Sequence, residues 1–405
     1  MAKTRLSPWT QGQNDVLDEY DPIYTPSEGR AAPLRSAVNV DLDIRGAATL
    51  RDGTTESIVG TAYKSGFAMD SFCLLQDGGT LYKTTDMVNR TELVTGLNAS
   101  NTIRYLSYGG EVLWTNGEVC GRVTSAGAAS NWGLAVPATP SLGTTTGSLE
   151  SGKYRVALTQ VDSAGGESGA YKGSTVTVTG SQAITVSLTS SGSDAVAFNV
   201  YCGRTDQSEL FFVKQVDIAE STTTITDVLV SDRILRTRHM IPPPAGDVLF
   251  SFGGYVLIGT GQFLYVSMGQ TPDLFYPASD VLAFSEDVQA GGEVSDGFYV
   301  ATSGGLYWIT GSTPDEWGTE TKVERGTFAK GSIALPGSAV PEMDTSKQVL
   351  LFAAPKTGLV GAGPGGFVKR LSWGKLNLDT SFTEVRFSYR NMGSRDTPQI
   401  IMLTS

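Results

Sequence analysis

Apolar and polar positions alternate in short runs along most of the chain, and glycines fall between the runs. The densest such stretch is Phe250 to Gly311. Val256 and Ile258, then Phe263 and Tyr265, then Phe298 and Val300 stand at alternate positions. Gly253-Gly254, Gly259, Gly261 and Gly304-Gly305 separate them. A period of two with glycines at the breaks predicts short strands joined by hairpins. Upstream, Phe72–Leu75, Leu81-Tyr82, Ile103 with Tyr105, and Val112–Trp114 repeat the rhythm around Gly78-Gly79, Gly109-Gly110 and Asn116-Gly117. The Asn-Gly pair predicts a type I′ turn. Gly261–Tyr265 and Gly304–Trp308 share a phrase whose leucines, Leu264 and Leu306, stand 42 residues apart. A repeat of that length built of four short strands predicts a β-propeller blade. No long segment sustains a 3.6-residue apolar period, so the expected class is all-β.

The rhythm changes at Pro137. Residues 137–245 are rich in Thr, Ser and Val; Gly147–Thr159 opens the region, and strands are expected to follow at Ser174–Val178, Ile184–Leu188, Ala197–Tyr201, Leu210–Val216 and Thr222–Thr226. About seven strands in about 100 residues predict a sandwich. Tyr154-Arg155-Val156, the turn Gly166-Glu167-Ser168 and Phe198-Asn199-Val200-Tyr201 resemble phrases of fibronectin type III modules. The run Ile241-Pro242-Pro243-Pro244 then stiffens the chain and marks the exit. The expected organisation is an extended N-terminal arm (1–33), a first propeller part (34–136), an inserted Ig/fibronectin III-like β-sandwich (137–245) and a second propeller part (246–405). The last strands, Phe382–Tyr389 and Gln399–Leu403, are expected to meet the strand near Val40 and close the ring.

Composition sharpens this picture in three ways. Charged residues make up 18% and hydrophobic residues 40% of 405 positions, a globular balance, and 48 glycines suit many tight turns. The net charge of −11 disfavours general binding to nucleic-acid phosphates. Cys73, Cys120 and Cys202 form no C-x-x-C pair and suit a reducing compartment. The first residues lack an apolar signal core, and no run of 18 apolar residues occurs, so neither a signal peptide nor a membrane span is expected.

Candidate chemistry is sparse. Asn39, Asp41 and Asp43 have a calcium-loop spacing, but Ile44 stands where Gly is needed and Leu50 where Glu is needed, so a strand is expected. His239 is the only histidine and reads as a linker residue. Gly361, Gly363 and Gly366 fit G-x-G-x-x-G, but Phe367–Leu371 reads as a strand, not the helix a phosphate cradle requires, so a loop is expected. Asp86, Asp273, Glu286, Asp287, Asp315 and Glu316 are the carboxylates from which a glycosidase pair could be drawn. Arg233, Arg236 and Arg238 form one basic cluster, read as a solvated hinge that could also meet phosphates or an acidic partner. Asn89 and Asn98 head sequons without significance in the absence of a secretory signal. Trp132, Trp308, Trp317 and Trp373 could line a sugar groove but read mainly as packing, with Trp317 the candidate surface residue. No catalytic, cofactor-binding or metal-binding residue is assigned, and no cofactor is expected.

Three phrases carry a family resemblance. Asn39–Gly46 followed by Leu50-Arg51-Asp52-Gly53, Phe263–Ser267 followed by Pro272–Phe275, and Gly304–Gly311 together resemble the β-propeller tail-nozzle, or packaged-DNA stabilisation, proteins of short-tailed phages. Asp52 stands where that family usually has Pro. The resemblance implies a non-enzymatic structural virion protein of the phage tail, made in the host cytoplasm. It would form a ring, expected as a hexamer, around a DNA channel, retaining the genome and letting it pass at ejection. Its partners would be further copies of itself, a tail adaptor, fibre or spike proteins, and DNA passing without sequence-specific binding. An acidic lumen would then repel the passing phosphates. The alternatives are a receptor- or glycan-binding tail protein, for which exposed aromatics on the sandwich would be the sign, and a propeller glycosidase, for which the sign is a central carboxylate pair.

Overall fold

Each alternating run becomes one strand of an antiparallel meander. The structure, a computed structural model, describes residues 40–42, 48–50, 58–229, 231–340, 343–344, 346–355, 358–371, 382–390 and 399–405. The expected N-terminal arm, most of the first resembling phrase and Trp373 lie outside the described residues. Among those described, the chain is all-β, and its helical pieces are three-residue 3₁₀ turns at Pro314–Glu316, Gly337–Ala339 and Pro364–Gly366.

Five sheets have the same up-and-down order. Sheet 1 holds Tyr63–Ala68, Cys73–Asp77, Thr80–Thr84 and Thr91–Val94. Sheet 2 holds Arg104–Tyr108, Glu111–Thr115, Cys120–Val123 and Ala129–Ser130. Sheet 3 holds Val248–Phe252, Tyr255–Thr260, Phe263–Met268 and Thr271–Phe275, with Val281–Ala283 added to its third strand. Sheet 4 holds Val288–Val294, Gly297–Thr302, Gly305–Thr310 and Gly318–Glu324. Sheet 5 holds Ser332–Pro336, Gln348–Ala354, Gly358–Gly363 and Phe367–Arg370. A hairpin, Val385–Arg390 with Gln399–Thr404, follows.

Neighbouring sheets pack face to face in chain order. Leu74 and Leu81 of sheet 1 share a cluster with Val112 and Val123 of sheet 2. Leu113 of sheet 2 meets Val256 and Ile258 of sheet 3. Leu257 and Leu264 of sheet 3 meet Phe298 and Ile309 of sheet 4. Tyr299 and Leu306 of sheet 4 meet Phe352 and Val360 of sheet 5, and Leu351 of sheet 5 packs with Phe387 of the hairpin. Four-stranded meanders stacked in this way, with their first strands around one axis, make a β-propeller.

The stacking explains where simple alternation fails. Val256, Leu257 and Ile258 are all buried, because a neighbouring sheet covers each face. Gly259 does not break a run, as the spacing predicts, but lies inside a strand. A Cβ there would stand 2.9 Å from Val288 of the next sheet, so glycine allows the two sheets to approach. Leu81, Leu264 and Leu306, the recurring leucines, all occupy third strands and are fully buried. Leu113, which shares their rhythm, is on a second strand.

The turns divide by chemistry. Gly109-Gly110 and Gly253-Gly254 each have positive φ at both residues, as a type I′ turn requires. Asn116-Gly117 does not form the expected type I′ turn, since only Gly117 has positive φ and the loop runs to Val119. The Asn116 Oδ1 instead accepts from the N–H groups of Glu118 and Val119, so the side chain caps a longer loop. Gly361 and Gly363 are likewise in a strand rather than a loop, with Leu371 and Met343 against them. A 3₁₀ turn and another strand follow, not a helix.

Residues 142–225 form two further antiparallel sheets. One has three strands, in the order Leu142–Leu149, Gln182–Ser187, Thr222–Ile225. The other has four, in the order Ser174–Val178, Gly152–Asp162, Ala195–Arg204, Phe211–Asp217. Val156, Leu158, Ile184, Val186, Phe198, Val200 and Ile225 fill a single core between them. The chain enters from sheet 2 and leaves into sheet 3, and the returning segment is tied to both bodies. The Ala170 N–H donates to the Thr237 carbonyl at 3.0 Å, and Ile241 and Phe275 exchange two backbone bonds. The proline run follows that bridge.

At the ends, Val40–Leu42 pairs with Ala48–Leu50, and the C-terminal strands pair with each other. The described residues carry no ladder between these two hairpins.

Candidate functional site

The first strands of sheets 1 to 5 and the C-terminal hairpin converge on one axial cavity of about 580 Å3. That size is ordinary for a small-molecule site, roughly 300–1,000 Å3. Its wall is unusually rich in cations for a chain of net charge −11. Lys64 comes from sheet 1, Arg104 from sheet 2 and Arg386 from the hairpin, while Asp247, just before sheet 3, is the one carboxylate among the lining residues.

These charges tie the ring across its axis. The Arg104 Nη2 lies 2.9 Å from a Glu384 oxygen, and the Arg386 Nη2 lies 3.7 Å from the other. The Lys330 Nζ donates to Asp247 at 2.7 Å. The Lys330 N–H donates to the Thr383 carbonyl, and the Val385 N–H donates back to the Lys330 carbonyl at 2.8 Å, which docks the hairpin on sheet 5. Burial pulls the Arg104 guanidinium below its usual range, and the Glu384 carboxylate partly opposes this. The one-fifth of the Arg104 side chain that is exposed faces the cavity. On the same wall, burial pushes the Tyr105 hydroxyl well above its ordinary value; it lies 3.2 Å from Ser65 Oγ.

A second polar site lies where the sandwich faces sheet 3. Glu167 accepts from Asn199 Nδ2 at 2.9 Å, from Tyr201 OH at 2.7 Å and from Thr159 Oγ1. Arg233 stands 3.9 Å from its other oxygen and stacks over the Phe212 ring at 4.0 Å. Arg233 and Arg236 line a cleft with Met268, Thr271 and Leu274 of sheet 3. Arg238 is not among the residues that line that cleft, and its Nε is buried without a partner among the described residues. The three arginines therefore do not present one common basic face.

The carboxylates flagged in the sequence are scattered. Asp86 accepts from the backbone N–H groups of Asn89 and Val88, which holds its carboxyl down to about 2. Asp273 is raised by burial and sits 3.7 Å from Arg122. Glu286 and Asp287 lie between sheets 3 and 4, and Asp315 and Glu316 are in a 3₁₀ turn. None of the six lines the axial cavity. His239 is exposed in the segment leaving the sandwich, with φ of +65° and its backbone N–H donating to Ala170. No group of three His, Cys, Asp or Glu side chains suited to a metal occurs among the described residues. No helix among them is long and apolar enough to cross a membrane.

The tryptophans pack. Trp132 is buried and donates to the Pro272 carbonyl at 3.1 Å. Trp308 lies beside Tyr299 and under Lys322. Trp317, expected at the surface, is half-buried, packing against Phe298 at 4.9 Å and Tyr255 at 6.0 Å in an aromatic cluster. On the sandwich, Tyr171 is the one large exposed aromatic among the described residues.

The axial residues escaped notice in the sequence because they are single charges separated by up to hundreds of positions. Their local signal is a cation flanked by apolar residues at the start of a meander, as in Ile103-Arg104-Tyr105 and Val385-Arg386-Phe387.

No protein-family model matches the chain, and no curated protein matches it significantly. Among solved structures it is similar to Hsv2p of Kluyveromyces lactis, at 8% identity and a TM-score of 0.29, covering 85% of this chain and 98% of that one. The N-terminal domain of Nup159 gives 10% identity and a TM-score of 0.30, covering 85% and 73%. Apo AztD from Citrobacter koseri gives 12% and 0.28, covering 85% and 90%. Scores of this size carry no argument, and the fold assignment rests on the strand order and packing described above.

Proposed function

We propose that the chain is a non-enzymatic structural protein of a phage tail, a nozzle or hub component that assembles with copies of itself around a DNA channel. The propeller is the rigid body, and the sandwich, of Ig/fibronectin III type, is an arm that reaches toward fibres, neighbours or the host surface. The observation that carries the reading is where the tail-protein phrases fall. Phe263–Ser267 and Gly304–Gly311 supply the third strands of two successive sheets, and Pro272–Phe275 supplies the adjoining fourth. The phrases thus lie where one blade stacks on the next. The inserted body has seven strands in two antiparallel sheets, the sandwich architecture on which the Ig/fibronectin reading rests.

Native mass measurement and negative-stain imaging of the purified full-length chain test the self-assembly. A closed multimer, expected as a hexamer, is the predicted result. A chain that stays monomeric at every concentration sampled, with no ring on the grid, counts decisively against it.

A further inference from the structure

The axial cavity has more positive charge than its own carboxylates can neutralise. Lys64, Arg104, Lys330 and Arg386 lie on it or are joined to it by ion pairs, against Asp247 and Glu384. Glu384 is shared between two guanidinium groups, and Asp247 is engaged by Lys330. Lys64 enters no ion pair among the described residues. The Arg386 Nε is buried and has no partner among them either. The rest of the Arg386 side chain, more than a quarter exposed, lines the cavity.

We propose that the axial cavity is a binding site for a small oxyanion, a molecule presenting a phosphate or carboxylate group to Arg386 and Lys64. A planar guanidinium fork matches both groups, and a lysine adds a mobile point charge. The ligand bridges the hairpin and sheet 1, which both line the cavity. This site does not depend on ring assembly, and either reading can fail alone.

Isothermal titration calorimetry of the full-length chain with inorganic phosphate, pyrophosphate and citrate tests the proposal. Saturable binding of at least one is expected. Arg386→Gln and Lys64→Gln should each weaken it about tenfold or more, as loss of one charge-assisted contact predicts. Arg204→Gln, on the sandwich, should leave it unchanged. Lys64→Gln breaks no ion pair among the described residues, so it keeps the test open should Arg386→Gln fail to fold. Binding of phosphate and pyrophosphate alone identifies a phosphate group, and binding of citrate alone a carboxylate. No saturable heat with any of the three, or binding indifferent to both variants, overturns the site. So does binding of a single-stranded oligonucleotide that needs Arg386 and Lys64 when none of the small anions binds.

Discussion

Phe298→Ala should destabilise the propeller by about 3–5 kcal/mol, the usual cost of emptying a large aromatic site in a packed core. Phe298 is fully buried on the second strand of sheet 4. Its ring lies 5.7 Å from Phe250, 5.2 Å from Phe252 and 4.9 Å from Trp317, so it joins sheet 4 to the first strand of sheet 3. The loss is a large part of the roughly 5–15 kcal/mol that holds a typical protein folded. Residues 137–245 hold no tryptophan, and the four described ones, Trp114, Trp132, Trp308 and Trp317, pack in the propeller sheets, so their fluorescence reports that body. The denaturation midpoint followed by tryptophan emission should therefore fall steeply. Hydrogen exchange in Ala195–Arg204, at the centre of the sandwich, should barely change, because that strand packs in a separate core. Equal loss of protection in both regions would show that the two bodies unfold as one.

Gly331→Val is the second large effect. Gly331 has φ of +114°, a region closed to β-branched residues, and a Cβ there would collide with the Val385 carbonyl oxygen. Strain of about 1–3 kcal/mol comes from the backbone alone, before the collision is relieved. Relief requires the hairpin to move off sheet 5, which breaks the bonds between Lys330 and residues 383–385. The expected outcome is a lower melting temperature with selective loss of exchange protection in Val385–Arg390 and Gln399–Thr404. Gly331→Ala should show the same pattern in weaker form. Unchanged protection of the hairpin in the valine variant would mean that it is not held at Gly331.

The two variants mark what the sequence makes legible and what it hides. Strands and blade repeats can be read locally, since Leu264 and Leu306 recur with their glycines and tyrosines at equivalent third strands. The seven-strand rhythm of residues 142–225 is equally local. What is hidden is set by contact between sheets. Gly259 looks like a break but serves the approach of Val288, and Asn116-Gly117 looks like a hairpin turn until the Asn116 side chain takes two backbone donors. Trp317 follows a polar turn yet folds back onto Phe298. The axial charges are the extreme case. Arg104 and Glu384 meet from 280 positions apart, a distance over which no spacing rule operates.

The reading of the cavity also changes how the overall acidity is understood. Negative charge dominates the chain, while the propeller axis collects cations; in the tail assembly proposed above, DNA would pass between copies rather than through a single propeller. Were the chain the tail component proposed above, electron cryomicroscopy of the virion containing it would test the ring arrangement most directly. The account predicts propellers in a closed ring around the tail axis, with the DNA path at the centre of the ring and the sandwiches directed outward. Copies found singly at the periphery, away from the axis, would contradict it.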